Sequence, residues 1–108
     1  MENNELEERL AYIEFRQQLL FENTGLSRFL FECNVTNLEY RAIMDVMDSY
    51  REKIGRGEEV SNHMFEQEIY EAVPSHDGQY HFAEGLAQAF HDLGRWEEVF
   101  QNLYASRV

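Results

Sequence analysis

Apolar positions along this chain recur at steps of three and four, the period of an amphipathic helix, and no strand-like run with Gly-containing hairpin turns separates them. The spacing predicts a first helix from about Glu5 to Glu22, about 27 Å long at the standard rise. Leu6, Leu10, Ile13 and Leu20 follow one another at steps of four, three and seven, a heptad-like seam that Gln17 interrupts. Tyr12, Phe15 and Leu19 fall on the opposite side of the same helix. A helix that is apolar on two sides needs two covers, and its own domain can supply one of them. A second chain is the expected source of the other, which makes Leu6, Leu10, Ile13 and Leu20 the expected self-association surface, with Tyr12 and Phe15 packing inward. The alternative is a central helix wrapped entirely by its own domain.

Further helices follow at regular intervals. Asn23-Thr24-Gly25 reads as a stop, and a short helix carrying Leu26, Phe29, Leu30 and Cys33 comes next. Thr36-Asn37-Leu38-Glu39 has the form of a capping box, with Val35 and Tyr40 placed for a hydrophobic staple. The helix opened there carries Tyr40, Ile43, Met47, Tyr50 and Ile54 and ends at Gly55-Arg56-Gly57, glycine being free to take the left-handed cap conformation. Ser61 is the expected cap of a fourth helix with Phe65, Ile69, Ala72 and Val73 inward, stopped by Pro74. Pro74-Ser75-His76-Asp77-Gly78 reads as a plain loop. A fifth helix is expected to bury Phe82, Leu86, Ala89, Phe90 and Leu93. After Gly94 a last helix carries Trp96, Val99, Phe100, Leu103 and Tyr104. The expectation is an all-α fold: a compact bundle of five or six short helices with a longer N-terminal one, residues 1–108 forming a single helical domain.

The order of these motifs resembles the small YhaI-like family of Gram-positive bacteria. The residues that carry the resemblance are Glu8-Arg9-Leu10-Ala11-Tyr12-Ile13-Glu14, Phe29-Leu30-Phe31, and the capped helix beginning at Leu38-Glu39. It continues in Leu86-Ala87-Gln88-Ala89-Phe90 and Leu93-Gly94-Arg95-Trp96-Glu97-Glu98-Val99-Phe100 and so spans nearly the whole chain. The resemblance implies an all-helical domain of unknown function, with no catalytic residue to carry over. The Pro-Ser-His-Asp-Gly loop, the several histidines and the base-free stretch depart from that pattern.

Composition narrows the functional classes. The chain is 44% hydrophobic and 14% aromatic, enough to order itself, so a disordered chain is excluded. Its 21 acids against nine bases give a net charge of −12, which argues against direct binding to nucleic acid through phosphate neutralisation. No signal-peptide core and no uncharged run of membrane-spanning length occurs, so a cytoplasmic protein with no membrane partner is expected. The single Cys33 has no internal disulfide partner and is expected to be a buried thiol.

The charge is unevenly placed. No Lys or Arg lies between Gly57 and Gly94, while Glu58, Glu59, Glu66, Glu68, Glu71, Asp77, Glu84 and Asp92 supply −8 of the −12. Such a field attracts a basic surface and speeds encounter with it. These eight residues are the expected partner-binding acidic face, the bland reading being charge that maintains solubility. All four histidines, His63, His76, His81 and His91, share the segment, and nearby negative charge favours their cations. Net negative charge, and affinity for a basic partner, should therefore fall between about pH 7.5 and 5.5.

Signals for chemistry are weak. His81 and Glu84 stand one turn apart and suit a divalent metal, but two ligands on one helix make no dedicated site, and His91 is too far along the axis. The pairs His76-Asp77 and His91-Asp92 echo metal phosphohydrolases without the required context. No nucleophile elbow and no phosphate-binding glycine pattern is present. Arg51, Lys53 and Arg56 complement a helix C-terminal dipole. No catalytic, cofactor or metal residue is assigned. The expected function is non-enzymatic: a self-associating acidic module that recognises another protein through a basic surface. The alternative is a phage-type acidic inhibitor that occupies the basic surface of a nucleic-acid-binding bacterial protein, such as a CRISPR or restriction defence enzyme.

Overall fold

Three of the helices begin at a side chain that captures their free backbone N–H groups. A computed structural model of the chain describes residues 2–79 and 81–105, with side chains from Asn4 onward. Among these residues lie six α-helices, one short 3-10 turn and no strand, an all-α bundle. They are α1 (Glu2–Glu22), α2 (Gly25–Glu32), α3 (Asn37–Gly55), α4 (Asn62–Ala72), the 3-10 turn Pro74–His76, α5 (Phe82–Asp92) and α6 (Glu97–Leu103). At α3 the expected capping box is closed in both directions: the Glu39 N–H donates to the Thr36 hydroxyl at 3.0 Å, and the Thr36 N–H donates to the Glu39 carboxylate at 2.9 Å. Ser61 accepts from the Met64 N–H at 3.2 Å to start α4.

Thr24 ends nothing by itself; it opens α2. Its hydroxyl accepts from the Ser27 N–H at 2.9 Å while the Ser27 hydroxyl accepts from the Thr24 N–H at 2.6 Å, a capping box with serine in the usual glutamate position. By contrast α5 and α6 have no side-chain cap. Each begins at a left-handed residue, His81 (φ 71°) and Trp96 (φ 48°). Trp96 was expected inside the last helix and instead forms its entrance. The conformation costs about 1–2 kcal/mol, and burial of the indole, with its N–H donating to Asp48 at 2.9 Å, offsets it.

Helices α3, α4, α5 and α6 close around a core in which Ile43, Met47, Tyr50, Phe65, Ile69, Leu86, Phe90 and Val99 are fully buried. Helix α2 lies on α5, and α1 lies on α2 while touching α3 only lightly. The molecule is accordingly elongated, 47 × 28 × 26 Å, with a radius of gyration of 14.7 Å. A chain of this length packed evenly would have about 13 Å.

The stripe of α5 differs from the expected one. Phe82, Leu86 and Phe90 are buried, but so are Ala83 and Ala87, whereas Ala89 is half-buried and Leu93 is 41% exposed. Packed against α2, α4 and α6, α5 buries small residues as well as large ones. Leu93, at the C-cap, points away as the chain enters Gly94 (φ 78°). Cys33 is likewise only half-buried, because it caps the end of α2. Burial together with the Glu32 carboxylate still pushes its thiol above the ordinary range.

Candidate interaction surface

Helix α1 is built as a beam with one supported face. Its inner side is held by buried Leu19, by Phe15 packed 5.7 Å from the ring of Tyr40, and by Arg16. The Arg16 guanidinium stacks 3.8 Å above the Phe31 ring and donates to the Phe31 carbonyl at 3.3 Å and to Asn34 at 3.1 Å. It also donates to the Tyr12 hydroxyl at 3.3 Å, so Tyr12 is half-buried. Toward the N-terminus this support ends. Every side chain from Asn4 to Ala11 is exposed. Open clefts of about 390 and 360 Å³ separate this stretch from the start of α3 on either side of the exposed Leu38.

The outer side of α1 carries the seam. Leu6, Leu10, Ile13 and Leu20 are 57%, 49%, 51% and 59% exposed. Phe21 is 91% exposed and stands at the edge of the same strip, about 65° from its centre on a helical wheel. Phe21 falls outside the heptad positions, and only its angle on the helix places it beside them. Five large apolar side chains are thus exposed on the outer side of α1, with Gln17 between Ile13 and Leu20.

The acidic segment is distributed over the structure. Glu66 and Glu68 lie on two flanks of α4, about 160° apart, and both are half-buried. The Tyr104 hydroxyl donates to Glu66 at 2.7 Å, and the Tyr50 hydroxyl donates to Glu68. Burial and the neighbouring Glu68 carboxylate raise the Tyr50 phenol well above its usual range. These two acids therefore tie α4 to α6 and α3. Glu58, Glu59, Glu71, Asp77 and Asp92 are exposed, with Glu58 paired to Arg56 at 2.6 Å and Asp92 3.6 Å from His91. That pairing, with Glu58 as its main cause, raises the Arg56 guanidinium further.

The four histidines separate into two kinds. His63 and His81 are exposed and His91 is half-buried. His76 belongs to the core: its ring stacks 4.4 Å from the Phe82 ring at 3°, its Nε2 donates to the Cys33 carbonyl at 2.7 Å, and its Nδ1 faces the Gln79 amide at 2.7 Å. The supposed plain loop is thus a 3-10 turn that pins the end of α2. His81 lies 3.6 Å from Glu84, and among the described residues no three His, Cys, Asp or Glu side chains gather as metal ligands. No helix is long and apolar enough to cross a membrane among the described residues. The cluster Arg51, Lys53 and Arg56 is absorbed locally, Arg51 pairing with Glu98 at 3.1 Å and Lys53 lying 4.6 Å over Tyr50. Comparison of the chain with protein-family models, with curated proteins and with solved structures finds no match.

Proposed function

We infer that this chain is a non-enzymatic, acidic protein-interaction module that pairs with a second copy of itself through the outer face of α1. The observation that carries this reading is the exposed seam of Leu6, Leu10, Ile13 and Leu20, joined by Phe21, on a helix whose other face is covered from Tyr12 to Leu19. Burying such a side chain contributes about 1.5–3 kcal/mol, and nothing in the chain's own described residues supplies the cover. Pairing leaves the exposed acids Glu59, Glu71 and Asp77 outward, beside Glu58 on Arg56, and their charge suits a partner protein with a basic surface. Kinship with YhaI-like helical proteins belongs to the same reading and adds no activity to it.

Light scattering on wild type and on the double variant Leu10→Glu/Ile13→Glu tests it. Wild type should measure about twice 12.9 kDa and the variant 12.9 kDa. Because both positions are about half exposed, the variant should keep its helical circular dichroism. A wild type that stays monomeric at every concentration would overturn the reading.

A further inference from the structure

A cavity of about 260 Å³ lies between α1, α2, α3 and the turn joining α5 to α6. Buried Leu19, Leu26 and Leu30 line it beside the polar Gln18, Ser27 and Tyr40. Two opposite charges line it, Arg95 and Glu22.

Arg95 is the informative one. In a chain with 21 acids and nine bases, it meets no carboxylate among the described residues. Its Nη1 donates to the Tyr40 hydroxyl at 3.2 Å and its Nη2 to the Met44 sulfur at 3.8 Å. Its guanidinium carbon stands 4.7 Å from the centre of the Trp96 ring and 5.5 Å from that of Phe90. A guanidinium offers five N–H donors in a planar fork, so these neutral partners leave room for the two parallel bonds that a carboxylate takes. The side chain is aimed by its backbone. The Arg95 N–H donates to the Phe90 carbonyl at 2.9 Å, and the next residue, Trp96, is held left-handed with its indole on Asp48. Glu22 accepts from Gln18 at 3.1 Å and meets no base among the described residues. No ion pair joins it to Arg95 although both line the same space.

We propose that this cavity binds an apolar α-amino acid, with its carboxylate on Arg95, its ammonium on Glu22 and its side chain over Leu19, Leu26 and Leu30. A simple carboxylate would answer Arg95 and leave its charge unrelieved beside Glu22. A simple amine would answer Glu22 and leave Arg95 unmatched. The space lies just below the usual range of small-molecule pockets, which suits a leucine-sized ligand and excludes a nucleotide-sized one.

Calorimetry on the full chain, with L-leucine, isocaproate (which lacks the ammonium) and isoamylamine (which lacks the carboxylate), tests the assignment. Leucine should bind once per chain, with each analogue at least about tenfold weaker. Methyl NMR shifts should appear at Leu26 and Leu30. Arg95→Gln should abolish leucine binding. Glu22→Gln, on the exposed rim, should weaken it about tenfold with the melting temperature unchanged, which keeps the test independent of any structural role of Arg95. No heat and no methyl shift up to about 10 mM leucine would overturn the proposal, as would analogues that bind as well as leucine or full binding by Glu22→Gln.

Discussion

Helix α1 and the closed set α3 to α6 are built from the same kind of residue at the same spacing, yet they spend it differently. In α4, Phe65 and Ile69 are fully buried because α3 and α5 lie on either side. In α1, Leu10 and Ile13 are about half exposed because none of the described residues lies over them. The aromatic ties reinforce the contrast: Tyr50 packs edge-on to Phe65 at 5.2 Å, and Phe90 edge-on to Trp96 at 4.9 Å, both inside the closed set. An apolar period makes a helix in either place. Only a neighbouring element turns that period into stability.

Mutation can break this comparison. Phe65→Ala should cost about 3–5 kcal/mol, whereas Leu10→Ala, measured by urea denaturation of dilute chain, should cost less than about 0.5 kcal/mol. Comparable losses would mean that α1 is covered by its own chain. The two effects should also diverge with concentration, since association stabilises by mass action: wild type should melt higher as concentration rises, and Leu10→Ala should respond less.

A smaller effect separates the histidines in the same way. His76→Ala removes a stacked ring and leaves the Cys33 carbonyl without its donor, at a cost of about 1–3 kcal/mol. His63→Ala, at an exposed position, should stay within about 0.5 kcal/mol. Thermal melts of the two variants decide it, and equal losses would place both histidines in one class.

The smallest expected effect lies at alkaline pH and is followed at Tyr50, in the closed set. The Tyr50 phenol is raised by burial and by Glu68, so the folded state holds a proton that the unfolded state releases above about pH 10. Its contribution is complete below that pH and is lost as pH rises toward the folded value, with a slope of at most about 1.4 kcal/mol per pH unit. Melting temperature should therefore fall above about pH 10 in wild type and in Leu10→Ala, and fall less steeply in Tyr50→Phe. An identical fall in Tyr50→Phe would remove Tyr50 from this role. The bond between Tyr50 and Glu68 carries a practical consequence as well. An acidic exterior is best probed by neutralising Glu58, Glu59, Glu71 and Asp77, since changing Glu66 or Glu68 also unties α4.

Much of this was readable from local pattern. The Thr36 box is a four-residue event, and its partners lie within hydrogen-bond reach however the rest of the chain packs. The angular positions of Leu6, Leu10, Ile13 and Leu20 follow from helical pitch alone, as does the opposition of Leu19. The sequence by itself therefore determined the all-helical class, most helix ends and the two-faced character of α1.

Tertiary structure decided what each face meets. Ala83 and Ala87 became core because α5 packs against α2, α4 and α6, a fact absent from its own eleven residues. His76 became a core residue because the Cys33 carbonyl, 43 positions earlier, reaches it. Arg95 and Glu22 came to share one cavity across the length of the chain. Period and capping act over one helical turn and are written in neighbouring letters. Burial and charge pairing depend on distances between residues far apart in sequence, and those exist only once the helices have packed.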